Sequence, residues 1–87
     1  MGVIVEYDSE AHATYVSMSD EHPASQIEVR GETVAIDLDE QGQHVGVEIL
    51  LSPTEMTSEI ITVLDQHFPE LGQQVARALV GVGYHAA

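Results

Sequence analysis

Between Glu32 and Ser52, apolar and polar residues alternate on both sides of one turn signal. Val34, Ile36 and Leu38 alternate with Ala35, Asp37 and Asp39, and Val45, Val47 and Ile49 alternate with His44, Gly46 and Glu48. This is the period-2 pattern of two half-buried strands. Gln41-Gly42 lies between them, and glycine takes the positive φ of a tight turn at no steric cost. Placing Asp39 opposite His44 sets Leu38 against Val45, Ile36 against Val47 and Val34 against Ile49, so that all six apolar residues share a face. A slip of one residue would oppose Leu38 to His44 and lose the match. The outward face is then Ala35, Asp37, Asp39, His44, Gly46 and Glu48, polar and mostly acidic.

The same alternation extends toward the N-terminus. Val3, Val5 and Tyr7 alternate with Ile4, Glu6 and Asp8, and His12 to Met18 is again rich in strand formers, which predicts a first hairpin. Asp20 to Ser25 is polar and contains Pro23, hence a loop, and Gln26 to Arg30 reads as a short strand ended by Gly31. Four to five short strands with no helix between them predict an antiparallel meander over residues 2–50. At Ser52 the pattern changes. Ser52-Pro53-Thr54-Glu55 has a capping serine, a proline at the first helical position and a glutamate at the third, and Leu51 with Met56 could form a staple.

A helix is therefore expected from Ser52 or Pro53, with Met56, Ile60, Val63, Leu64 and Phe68 facing the sheet and Ser58, Glu59, Thr62, Asp65 and Gln66 facing away. Pro69 interrupts it, and a second helix is expected from Glu70 to Val80, with Leu71, Val75, Ala78 and Leu79 on one face and Gly81 and Gly83 ending it. The resulting fold class is α+β, a small antiparallel β-meander packed by one or two C-terminal helices. Residues 1–87 form one domain in this reading, with the sheet in 1–51, helices in 52–83 and a frayed tail at 84–87.

Charge narrows the set of partners. Lys plus Arg total 2, at Arg30 and Arg77, against 15 Asp plus Glu, a net charge of -13. Such a chain repels phosphate backbones and anionic membranes, whereas a basic protein partner is favoured; simple solubility is the plainer alternative. With no cysteine there is no disulfide framework, thiolate nucleophile or thiolate metal site. MGVIVEYDSE lacks a basic region followed by a long apolar core, and no segment reaches the ~20 apolar residues of a membrane span, so a soluble, cytoplasmic protein is expected.

Chemistry-bearing residues form few patterns. Asp37, Asp39, His44 and Glu48 project from one strand face in the expected register and could together hold a divalent cation. A solvated face, with Asp39 and His44 as a cross-strand pair, explains them more simply. His12, His22, His44, His67 and His85 lack the spacing of a helical metal pair, and Ser9, Ser17, Ser19, Ser25, Ser52 and Ser58 sit in no nucleophile elbow. Gly81-Val82-Gly83 follows a helix rather than preceding one, so it is no phosphate loop. No reaction and no cofactor is indicated.

The expected roles are those of an interaction module, with Glu28, Asp37, Asp39 and Glu48 meeting a basic partner. The alternatives are a self-associating structural protein and a metal-dependent hydrolase. Two amphipathic helices on a small sheet also predict a homo-oligomer, with Ile61, Leu71, Val75, Leu79 and Val82 at the contact.

Tyr7-Asp8, His12-Ala13-Thr14-Tyr15-Val16, Glu28-Val29, Ile36-Asp37-Leu38-Asp39, Gly42 and Val45-Gly46-Val47-Glu48-Ile49-Leu50 stand in an order and spacing that resembles the bacterial family DUF2283 over about residues 5–52. The resemblance implies a small β-rich domain with a variable C-terminal extension and no established catalysis. It also implies an antitoxin-like or other partner-binding role, because genes of this type sometimes neighbour small toxin-like genes. Two departures stand out. His12 occupies a position where the family tends to carry an acid, and the two helices after Ser52 lie outside the usual pattern.

Overall fold

The computed structural model describes residues 3–83, so the expected frayed tail lies outside the described residues. Five strands form one antiparallel sheet: β1 (Ile4–Asp8), β2 (Ala13–Ser17), β3 (Ser25–Arg30), β4 (Val34–Leu38) and β5 (His44–Ile49). A 3-10 turn (Pro53–Glu55) leads into α1 (Ser58–His67) and α2 (Leu71–Val80), both packed on one face of the sheet. The α+β class, the antiparallel pairing and the C-terminal helices are those the alternation predicts.

The strand order is β1-β2-β5-β4-β3, which departs from a plain meander because β5 inserts between β2 and β4. Val16 explains the preference: it lies opposite Val47 and is fully buried, so β2 completes the apolar layer at the centre of the sheet. The connection from β2 to β3 crosses one end of the sheet, held by Met18 N–H to Val45 O at 2.9 Å and Ala24 N–H to Leu38 O at 2.7 Å.

The inner half of the expected hairpin register holds, with Val34 opposite Ile49 and Ile36 opposite Val47. Nearer the turn it does not. Asp37 faces Gly46 but Leu38 faces His44, so β5 carries one extra residue there. A bulge of this kind lets the pairing shift without moving the rest of the strand to the wrong face. Asp39 consequently faces the loop rather than His44. Its backbone N–H donates to Gln43 O, and its Oδ1 accepts from the Gln41 and Gln43 N–H groups, both at 2.9 Å.

Val16, Val34, Ile36, Val47 and Ile49 from the sheet meet Met56, Ile60, Ile61, Leu64, Leu71, Val75 and Leu79 from the helical segment in one core. This corrects the expected oligomer contact. Leu71, Val75 and Leu79 are at most 1% exposed and Ile61 is 7% exposed within the single chain, so they hold the two helices to the sheet and to each other. Of the five residues, only Val82 remains open to solvent.

The helix also begins later than expected. Ser52 N–H donates to Glu55 Oε1 at 2.8 Å, as a capping box requires, yet the box closes only the 3-10 turn. Met56 and Thr57 return to extended backbone, which drops the Met56 side chain into the core. Thr57 then serves as the N-cap of α1, its side chain accepting from Ile60 N–H at 3.4 Å.

Glu55 has a second partner, His12 Nε2 at 2.6 Å, so the β1–β2 turn is tied to the 3-10 turn. The Ser52 N–H holds the Glu55 carboxyl below its usual range, helped by the charge of His12. A carboxyl lowered by folding contributes stability above its unfolded value, and that stability is lost as pH falls through the folded one. The thermal midpoint is therefore expected to drop on acidification below about 4.5, and Glu55→Gln should flatten that dependence in a pH series of melting curves. An unaltered slope in the variant would remove the linkage.

α2 lacks a cap of its own, because Glu70 at its N-cap has left-handed backbone and makes no side-chain cap bond. Asp65 of α1 supplies it: Oδ1 accepts from Gly72 N–H at 2.7 Å and from Gln73 N–H at 3.4 Å, and Oδ2 accepts from Gln73 Nε2 at 3.3 Å.

Candidate functional site

The helices cover one face of the sheet and leave the other without cover among the described residues. Strand alternation places Ile4, Ser17, Gly46, Asp37 and Gln26 in one row on that open face, and Glu6, Tyr15, Glu48, Ala35 and Glu28 in the next. The two cations are elsewhere. Arg30 pairs with Glu59 of α1 on the helix side, and Arg77 is on α2.

At the centre of the open face, Gly46 forms a gap in β5. The Tyr15 ring crosses that gap, and its hydroxyl donates to Asp37 Oδ2 at 2.7 Å, while Gln26 Nε2 donates to Asp37 Oδ1 at 2.8 Å. A Cβ at Gly46 would lie 2.1 Å from the Tyr15 oxygen, so the glycine is what lets the ring lie flat. Asp37 is only 8% exposed under this cover. Burial pushes the Tyr15 phenol well above its usual range, with its bond to Asp37 and the charges of Asp37 and Glu48 acting in the same direction. Such a phenol is a fixed donor and a poor nucleophile.

Tyr15→Phe removes one of the two donors to a nearly buried carboxylate, and a cost of about 1 to 2 kcal/mol is expected in urea denaturation. Because folding raises the phenol, stability present below the usual phenol value near 10 is lost as pH rises past it. The variant should lose that share of the alkaline decline; a midpoint equal to wild type both at neutral pH and above about pH 10 would contradict this account.

The expected partner-binding residues fare unequally. Glu28 is exposed and Glu48 half-buried on the open face, whereas Asp37 is satisfied internally and Asp39 holds the β4–β5 loop. Sequence reading missed Glu6, which joins Glu48 and Glu28 in one row only because β1 and β2 add beside β5. With strands about 4.8 Å apart, Glu48 on the central strand stands roughly 10 Å from Glu6 and from Glu28, which are about 19 Å from each other on the two edge strands.

The expected cation site does not assemble. The bulge turns His44 toward the helices, where its ring packs against Phe68 at 4.8 Å, and its Nδ1 is buried without a partner. Asp37, Asp39, His44 and Glu48 therefore do not converge, and no group of three metal-ligating side chains does so among the described residues. A shallow depression of about 550 Å³ bounded by Glu6, Asp8, Tyr15 and Glu48 lies beside the Tyr15 ring. Ser9 lies on its rim, and among the described residues no base is hydrogen-bonded to its side chain.

Among the described residues no helix is long and apolar enough to cross a membrane. No curated protein and no solved structure matches the chain. Residues 4–51, the five strands and their connections, match the sequence pattern of DUF2283, described as a protein of unknown function. Since that match spans more than half of the 87 residues and covers the whole sheet, the chain belongs to the DUF2283 family.

Proposed function

We propose that this protein is a small interaction module whose open sheet face receives a basic protein partner. The observation that carries the reading is the row of Glu6, Glu48 and Glu28 on a face that bears no cation among the described residues. The net charge of -13 adds long-range attraction for a cationic surface, raising the encounter rate and screening with salt. The Tyr15–Asp37–Gln26 cluster keeps the middle of the face rigid, so a partner meets a preformed surface. Neutralisation of a basic, toxin-like protein in the cytoplasm is the biological form this binding takes.

A metal-dependent hydrolase gains no support from the geometry, since His44 and Asp39 serve other ends. The test compares partner capture and association kinetics of wild type with the triple variant Glu6→Gln, Glu28→Gln, Glu48→Gln at low and physiological salt. Association of wild type should slow with salt, and the variant should associate at least about ten-fold more slowly at low salt. Equal rates would place the function on another surface.

A further inference from the structure

The two edges of the sheet are finished differently. β3 carries a bulge between Glu28 and Arg30, and Arg30 is tied to Glu59 of α1; both features keep a further strand from adding there. β1 is a regular strand, IVEYD, without lysine, proline or bulge. This strand and the residue before it carry three exposed apolar side chains, with Val3 45%, Ile4 58% and Tyr7 43% exposed. The ladder fixes the direction of its free backbone groups. Met18 N–H donates to Val45 O in the register that sets Ser17 opposite Gly46, so even-numbered β2 residues bond toward β5 and odd-numbered ones toward β1. Ile4, Glu6 and Asp8, opposite Ser17, Tyr15 and Ala13, turn their backbone groups inward, and Val5 and Tyr7 turn theirs out. Beside this edge a groove of about 320 Å³ is lined by Val3 and by Gln74, Arg77 and Ala78 of α2.

We propose that β1 pairs antiparallel with β1 of a second copy about a two-fold axis through Val5, joining two sheets into one. Charge excludes the axes nearer the β1–β2 turn. An axis at Glu6 would oppose the two Glu6 side chains in a close pair, and one at Tyr7 would set Glu6 against Asp8; like charges directly opposite are destabilising. The Val5 axis opposes no acids. It sets Ile4 beside Glu6 of the second copy and Val3 beside Tyr7 of the second copy.

Tyr7 lies opposite Thr14, which shares the helix face with Val16, and a two-fold axis perpendicular to the sheet keeps both helix faces on one side. Tyr7, whose hydroxyl is bonded to His12 Nδ1 of its own chain, thereby stands beside Val3 at the rim of the other copy's groove, with its exposed ring face toward the side that carries Arg77. Tyr7 and the groove residue Val3 stand four positions apart along the edge, the spacing that an axis through Val5 requires, which favours a second copy over an unrelated strand. The pairing leaves the acidic faces open and does not depend on the reading of the basic partner.

Sedimentation equilibrium of the full chain tests it. Twice the 9.4 kDa chain mass is expected at tens of micromolar. Added salt should tighten the dimer, because it screens two chains of net charge -13, and this is opposite to its effect on a basic partner. Ile4→Lys should lower the dimer Kd on the order of ten-fold and Ile4→Glu should raise it similarly, as each substitution faces Glu6 twice. Ile4 is exposed, so circular dichroism of both variants should match wild type, and Tyr7→Ala should weaken the dimer without unfolding the chain. A single-chain mass up to hundreds of micromolar, or one Kd shared by Ile4→Lys and Ile4→Glu, would overturn the proposal.

Discussion

Ending the chain after Ser52 should abolish cooperative unfolding, although the shortened chain retains every residue matched by the family pattern. Val16, Val34, Ile36 and Val47 are fully buried and Ile49 is 1% exposed, and their cover is the set Met56, Ile60, Leu64, Leu71, Val75 and Leu79. Each fully buried aliphatic of this size is worth about 1.5 to 3 kcal/mol. An 87-residue domain holds roughly 4 to 13 kcal/mol in total. Uncovering even three of the five exhausts the lower half of that range, so the fragment is expected to lack a urea transition and to bind a hydrophobic dye. A fragment with a sigmoidal transition would show that the sheet stands alone and that the helices are an accessory.

The second large effect is expected at Gly72. A Cβ there would lie 2.1 Å from the Ile61 carbonyl oxygen and 2.9 Å from Asp65 Oδ1. The first of these is backbone inside α1, with no rotamer through which it could retreat. Gly72→Ala must therefore part the helices, strain the Asp65 cap and loosen Leu71 and Ile61 together. Overpacking of this kind costs about 3 kcal/mol or more. Chemical denaturation reads the cost directly. The alanine in itself favours helix by close to 1 kcal/mol, so a variant as stable as wild type would mean that the two helices do not pack this closely.

The strands were legible because each is short, alternating and bounded by turn residues. Their order was not, since Val16 could as well have faced a neighbour in β3; only the competition for the central apolar layer selects β5. The bulge at Val45 was invisible for a similar reason. Continuous alternation through His44 implied one register, and the packing of His44 on Phe68 comes from a residue more than twenty positions away.

The capping box at Ser52 was read from local chemistry and is present, but Thr57 offers a second start that places Met56 in the core. The open-face cluster was half visible. Tyr15, Asp37 and Gly46 were each recognisable, yet their meeting needs the β2–β5 pairing. His12, inside the residues matched to the family, bonds Glu55 of the helical extension beyond them, a contact that spans forty-three positions of the chain. An acid at position 12 would repel that carboxylate.

The insertion of β5 between β2 and β4 also sets an order in time. β3, β4 and β5 join through short connections, whereas Thr14 must find Ile49, thirty-five positions along the chain, before β2 can dock. Closing the longer loop costs more chain entropy and comes with no local contact to offset it. The three-stranded unit is thus the expected nucleus, and the N-terminal hairpin joins it as a second event. Pulse-labelled hydrogen exchange during refolding should protect the amides of Ile36 and Glu48 before those of Ile4 and Glu6; simultaneous protection would mean that the sheet condenses as a whole.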